Sequence, residues 1–112
     1  MSQSVLVFHS HCPDGAASAV VARRVNRRTD LVYGQHEKIN QQVLDACDRL
    51  GEGGRLYIAD ICCSESTLKE ACVKVRQKKA FLGIYEHHIT QAWLSDFQMP
   101  EDCDGEIFFD LK

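Results

Sequence analysis

The sequence lacks the features that mark fibrous, disordered, membrane-spanning and secreted proteins. It contains only two prolines in 112 residues, no internal repeat, and an ordinary balance of 45% hydrophobic and 26% charged residues, which excludes collagen, coiled coils and disorder. No apolar run reaches the roughly 18 residues of a membrane span, and the first four residues lack the basic start of a signal peptide. The formal charge of −3 argues against a protein that binds polyanions through bulk charge. These absences predict one domain over residues 1–112 of a cytoplasmic protein that does not contact a membrane.

Cysteine is not scarce, but the six cysteines lack the pattern of a disulfide framework or a thiolate zinc site. No C-x-x-C pair occurs, and the adjacent Cys62 and Cys63 could pair with each other only under strain. Cys47 and Cys72 fall on apolar faces of predicted helices, where a free thiol behaves as a small hydrophobic side chain. Because no secretory signal is visible, all six are predicted to be reduced thiols. Cys12, in a predicted loop before a helix, is expected to be the most reactive.

Apolar segments alternate with segments of helical periodicity along the whole chain. The apolar runs predict strands at 5–8, 31–34, 56–60, 81–85 and 106–111. Helices are predicted at 16–28, from the N-cap Asn40 to a C-terminal Gly51, at 64–79 and at 90–97, with residues 51–54 as a connecting turn. Strands separated by helices predict an α/β fold with a doubly wound, mostly parallel five-stranded sheet and helices on both faces.

Polar side chains collect where the first, third and fourth strands are predicted to end. They are His9, His11, Cys12 and Asp14, then Asp60, then Glu86, His87 and His88. Ligands of open parallel sheets bind at this edge. Imidazoles mixed with carboxylates suit Mn²⁺, Fe²⁺, Co²⁺ or Zn²⁺, and two such ions a few ångströms apart would clamp a phosphoryl group. His36 is expected to lie outside this group.

Each of these residues also has a purely structural interpretation. Asp14 could cap a helix and Asp60 a turn, although Ser64 is better placed to cap the helix predicted at 64–79. His87 and His88 could be surface residues, since sequence neighbours on an extended strand point in opposite directions. A flavodoxin-like structural or signalling domain is the function that this interpretation favours. The coincidence of so many metal-binding side chains on one edge favours a metal site.

Three segments resemble the motifs of the DHH phosphoesterase superfamily. The segment from Phe8 to Ala19 resembles its first motif in the H-x-x-C-x-D-G form. Residues 57–60 (Tyr-Ile-Ala-Asp) resemble the second motif, an Asp that ends an apolar strand, and residues 85–88 (Tyr-Glu-His-His) resemble the third, after which the family is named. Their order, spacing and placement agree with the family over essentially the whole chain.

The resemblance implies a metal-dependent hydrolase of phosphoester or phosphoanhydride bonds with two divalent ions, typically Mn²⁺, with Mg²⁺ or Co²⁺ as substitutes. The substrate would be a phosphorylated small molecule or a short oligonucleotide, attacked by hydroxide held between the ions. The matching positions imply that His9 binds the first ion and Asp14 the second, that Asp60 bridges both, that His87 completes the coordination of the second ion, and that His88 donates a hydrogen bond to the substrate phosphate. His11, Cys12 and Glu86 would be additional ligands or neighbours of the site.

The chain departs from the family pattern in three places. Cys12 stands where many members have an Asp, Glu86 replaces the Asp of the third motif, and no segment matches the fourth, Asp-bearing motif. The chain is therefore expected to be the N-terminal portion of a longer protein with low activity of its own. A non-catalytic metal- or nucleotide-binding domain is the alternative. The apolar run 107–109 is typical of a buried strand, and the chain is expected to form homo-oligomers through this C-terminal part.

Overall fold

The computed structural model describes residues 2–9, 29–86 and 89–109, with the backbone alone at positions 2, 3 and 89. Five strands are present: β1 (Ser2–Phe8), β2 (Thr29–Tyr33), β3 (Leu50–Ala59), β4 (Phe81–Glu86) and β5 (Asp104–Phe109). The described helices are α1 (Ile39–Arg49), α2 (Glu65–Gln77) and a 3₁₀ helix (Ile89–Ser95) that replaces the helix predicted at 90–97 and is kinked at Gln91. The helix predicted at 16–28 lies outside the described residues.

The five strands form one parallel sheet in the order β2-β1-β3-β4-β5. This confirms the predicted α/β fold. β1 lies between β2 and β3, so the ends of the first three strands are neighbours on one edge of the sheet. Among the described helices, none is both long enough and apolar enough to cross a membrane.

One face of the sheet carries the core. Alternate residues of the central strands point to this face and are fully buried, as in Val7, Ile58 and Ile84. The apolar sides of α1 and α2 pack on them, together with Leu94 of the 3₁₀ helix. The opposite face carries Leu6 and Ala59 in a second, smaller cluster, with partly buried aromatic rings around it.

The beginning of α1 differs from the prediction. The helix begins at Ile39 after Lys38, and no side chain caps its first turn. Asn40, predicted as the N-cap, lies in the first turn, and its Oδ1 accepts a hydrogen bond of 2.8 Å from the backbone N–H of Ser64. Ser64 itself caps α2 as predicted, with its side chain accepting from the N–H of Thr67. The Asn40 side chain is therefore used between two helices and not within one.

The segment 51–54, predicted as a connecting turn, belongs to β3, which begins directly after α1. Gly51 does not end the helix in the left-handed conformation expected of a C-terminal glycine; Gly53 has the positive φ, 73°. The pairing of β1 with β3 jumps from Ser2–Leu50 to Ser4–Arg55, so the glycine-rich residues form a bulge. The glycines therefore allow the irregular backbone of β3 at this bulge.

The last strand lies at one edge of the sheet. β5 begins at Asp104, two residues before the predicted position, and its described part ends at Phe109. Ile107 and Phe109 are half-buried against the core, whereas Phe108 is 60% exposed. Phe108 is uncovered because β5 is an edge strand and no described helix packs over that face of it.

Candidate functional site

Three predicted site residues lie at the carboxyl ends of three adjacent strands, β1, β3 and β4. Phe8 of β1 pairs with Ala59 of β3, and Ala59 pairs with Tyr85 of β4. The residues that follow these three in the sequence are His9, Asp60 and Glu86, respectively. Parallel register therefore places one imidazole and two carboxyl groups at the ends of adjacent strands on the carboxyl edge.

Asp60 ends β3 in an unusual backbone conformation. Its φ is 64°, in the left-handed region that Asp and Asn tolerate better than most residues. The backbone N–H of Asp60 donates a 2.8 Å hydrogen bond to the carbonyl of Tyr85, which fixes the turn to the end of β4. The residue is only 3% exposed, and its Oδ2 is enclosed. Backbone outliers of this kind cluster at functional sites.

Glu86 is the last residue of β4 and is also 3% exposed, with Oε2 enclosed. Cys62 lies close to it. A hydrogen bond with Cys63, burial, and the nearby charges of Cys63 and Glu86 raise the pKa of the Cys62 thiol. The Cys62 thiol is therefore protonated and a poor nucleophile.

The donor types at this edge fit a hard or borderline divalent cation. Ionised carboxyl groups are buried only where they are paired, hydrogen-bonded or bound to metal. Carboxylate oxygens and imidazole nitrogens are donors that Mn²⁺ and Co²⁺ accept. His9, Asp60 and Glu86 are the described residues that could contribute to such a centre.

His36 also lies at this edge of the sheet, although the sequence pattern did not place it there. It follows β2, the neighbour of β1, and its ring centroid lies 5.1 Å from that of His9. The His9 ring also lies 5.7 Å from that of Tyr33. The signal was present in the sequence, since His36 comes three residues after Tyr33, at a strand end like the other predicted site residues. Its use required knowing that β2 pairs with β1.

The other predicted site residues lie outside the described part of the chain: His11, Cys12, Asp14, His87 and His88. Within residues 2–9, 29–86 and 89–109, no three His, Cys, Asp or Glu side chains converge closely enough to hold a metal ion. The described residues therefore supply part of the predicted ligand set.

No family model, curated protein or solved structure matches this chain.

Proposed function

We propose that this chain is a divalent-metal-dependent phosphoesterase of the DHH type, with two Mn²⁺ ions as cofactor. The observation that carries the proposal is the row of His9, Asp60 and Glu86 across three adjacent parallel strands. The edge that bears this row is where α/β proteins bind their ligands. The three motifs in the sequence supply the remaining donors.

The residues of the chain have distinct tasks in this proposal. His9 and Asp14 would each hold one ion, and Asp60, which is buried at the end of β3, would be the ligand shared by both ions. His87 would complete the coordination of the second ion, and His88 would donate a hydrogen bond to the substrate phosphate. When bound, the ions supply positive charge that draws the phosphoryl group in and activates water.

Glu86 has a supporting task. It stands where the third motif carries Asp, and its extra methylene shifts the carboxyl group by about one bond length. Because the side chain is buried at the end of β4, it is held in place by its surroundings. We propose that Glu86 orients the neighbouring metal ligands.

The substrates are phosphorylated small molecules or short oligonucleotides, and the setting is the cytoplasm, where thiols stay reduced. The partner that we propose besides substrate is a second copy of the chain, bound through the region of β5.

The test is an Mn²⁺ titration of metal-free protein, followed by melting temperature and by turnover of bis-p-nitrophenyl phosphate. An ion that binds only the folded state raises its stability by about 2.7 kcal/mol at a hundredfold excess over Kd. Asp60→Asn should remove that gain and the turnover, and Asn is chosen because it tolerates the left-handed backbone. Asp96→Asn, at an exposed position after the 3₁₀ helix, is the matched control and should keep both.

The outcomes separate the alternatives. Stabilisation without turnover would make the chain a non-catalytic metal-binding domain of the same fold. Identical melting curves with and without Mn²⁺ would overturn the metal site altogether and leave a flavodoxin-like structural or signalling domain.

A further inference from the structure

We propose that His36 is a ligand of the same metal ion as His9. The inference rests on the proposed function, because it concerns the first ion of that site. It starts from the closeness of the two imidazoles, whose centroids are 5.1 Å apart with the ring planes tilted by 45°.

The separation suits two rings that share one ion. With a metal–nitrogen bond of about 2.0–2.1 Å on each side, two imidazoles at tetrahedral or octahedral angles have centroids about 5 Å apart. Parallel stacking would bring the ring planes together, whereas these planes are inclined. The spacing of the two rings is therefore compatible with two imidazoles that bind one ion.

The loop that carries His36 is fixed against the sheet. The side-chain amide of Gln42, in α1, donates to the carbonyl of Tyr33 at 2.9 Å and accepts from the backbone N–H of Gln35 at 2.9 Å. The N–H of Gly34 donates to the carbonyl of Phe8 at 2.6 Å, which ties the loop to the end of β1, directly before His9. A metal ligand needs this kind of preorganisation.

Gly34 makes that close approach feasible. A Cβ at this position would lie 2.9 Å from Cγ2 of the buried Ile61 and 3.3 Å from the carbonyl oxygen of Phe8. Only a residue without a side chain lets the loop lie this close to the ends of both β1 and β3.

The chemistry gives His36 a reason to be a ligand. The first motif has Cys12 at a position where many members of the superfamily have Asp, so one hard oxygen donor is replaced there by a softer thiolate or by nothing. A second imidazole replaces that donor with nitrogen. Nitrogen donors favour Co²⁺ and Zn²⁺ over Mn²⁺, so the first ion of this chain should be bound less selectively for Mn²⁺ than in the Asp-bearing pattern.

The test uses Co²⁺ alone, added to the metal-free full chain and followed by calorimetry and by its visible absorption. His36→Ala should weaken Co²⁺ binding by about tenfold or more and change the absorption bands. Loss of a residue that only supports a metal ligand already lowers metal affinity by about 10–100-fold, and loss of a ligand itself should cost at least as much. Glu37→Gln, the adjacent exposed residue of the same loop, is the matched control and should change neither. His36→Asp should restore binding and shift the preference towards Mn²⁺, which a merely structural role would not produce.

Each result has one meaning. If His9→Ala and Asp60→Asn weaken Co²⁺ binding while His36→Ala matches Glu37→Gln, the metal site stands and the role of His36 is refuted. If the unaltered chain shows no saturable binding of Co²⁺ or Mn²⁺, the proposed function fails and this inference fails with it. Urea unfolding of the metal-free variants checks that His36→Ala folds as stably as the unaltered chain, as expected for an exposed side chain.

Discussion

At the scale of single residues, the described cysteines are buried and chemically quiet. All five are free thiols in the interior. Burial is the main cause that raises the pKa of Cys47 and of Cys72 to about 12, and it raises the pKa of Cys103 as well. The thiolate is the reactive form, and at pH 8 a thiol with such a pKa is ionised in roughly one molecule in ten thousand.

We therefore predict that at most one thiol reacts quickly with Ellman's reagent in the native protein at pH 8, and that this thiol is Cys12. All six should react in denaturant without reductant, because the five described cysteines are free thiols. Cys12→Ser should abolish the fast phase, whereas Cys103→Ala should leave it unchanged. Recovery of four or fewer thiols, or several fast thiols in the native protein, would contradict this view of the cysteines.

At the scale of elements, one lysine joins the ends of the two long helices. Lys78 follows α2, and its Nζ donates to three carbonyl oxygens at the end of α1: Cys47 at 2.8 Å, Asp48 at 3.0 Å and Leu50 at 2.7 Å. The last carbonyls of a helix have no partner within it, and the helix dipole makes that end negative. Lys78 therefore donates hydrogen bonds to these carbonyl oxygens and places a positive charge at the negative end of the α1 dipole.

Replacing Lys78 with Met keeps an unbranched side chain of similar length, one atom shorter, and removes its donors. We expect a loss of about 1.5–3 kcal/mol in the free energy of unfolding, the range for hydrogen bonds to a charged group. Lys69→Met is the control, since it removes only an exposed ion pair with Glu65 of 3.5 Å, worth about 0.5 kcal/mol or less. Urea denaturation of both variants is the measurement, and equal losses would show that the Lys78 contacts add nothing.

The elements also show which local signals in the sequence are sufficient. Continuous apolar runs located all five strands, because a run such as the one around Ile58 has few alternatives to burial. The N-cap at Ser64 can be predicted because it depends only on residues of the same helical turn. Asn40 was assigned wrongly, since its partner Ser64 lies 24 residues away. Signals that depend on a distant partner cannot be read from neighbours along the chain.

At the scale of the whole molecule, the order of the strands decided what the sequence could predict about the site. The positions of His9, Asp60 and Glu86 at strand ends follow from the apolar runs, and parallel pairing then aligns them. His36 could not be added on the same grounds, because nothing near it in the sequence tells that β2 pairs with β1. Register and strand order are tertiary properties, and the neighbours of a ligand depend on both.

The sheet face opposite the core is the other property of the whole molecule with a functional consequence. Tyr57 lies 6.2 Å from Phe81 and 6.5 Å from Tyr85 between ring centroids, and Phe108 of the edge strand pairs with Tyr85 and is 60% exposed. A half-buried aromatic cluster that ends in an exposed Phe at a sheet edge is prone to association. A second copy presents the same cluster, so a two-fold interface would bury the cluster of one copy against that of the other.

We predict that the chain forms a dimer through this face and that Phe108→Lys weakens it. Burying one Phe contributes about 1.5–3 kcal/mol, so losing it from one side alone would raise Kd roughly tenfold or more, and a symmetric interface loses it twice. Val73→Lys is the matched control, because it removes an exposed apolar side chain from α2, on the other side of the sheet. Sedimentation velocity over a dilution series is the measurement. Val73→Lys should dimerise like the unaltered chain and Phe108→Lys should not, whereas a chain that stays monomeric at every concentration would mean that these aromatic side chains stay exposed to water.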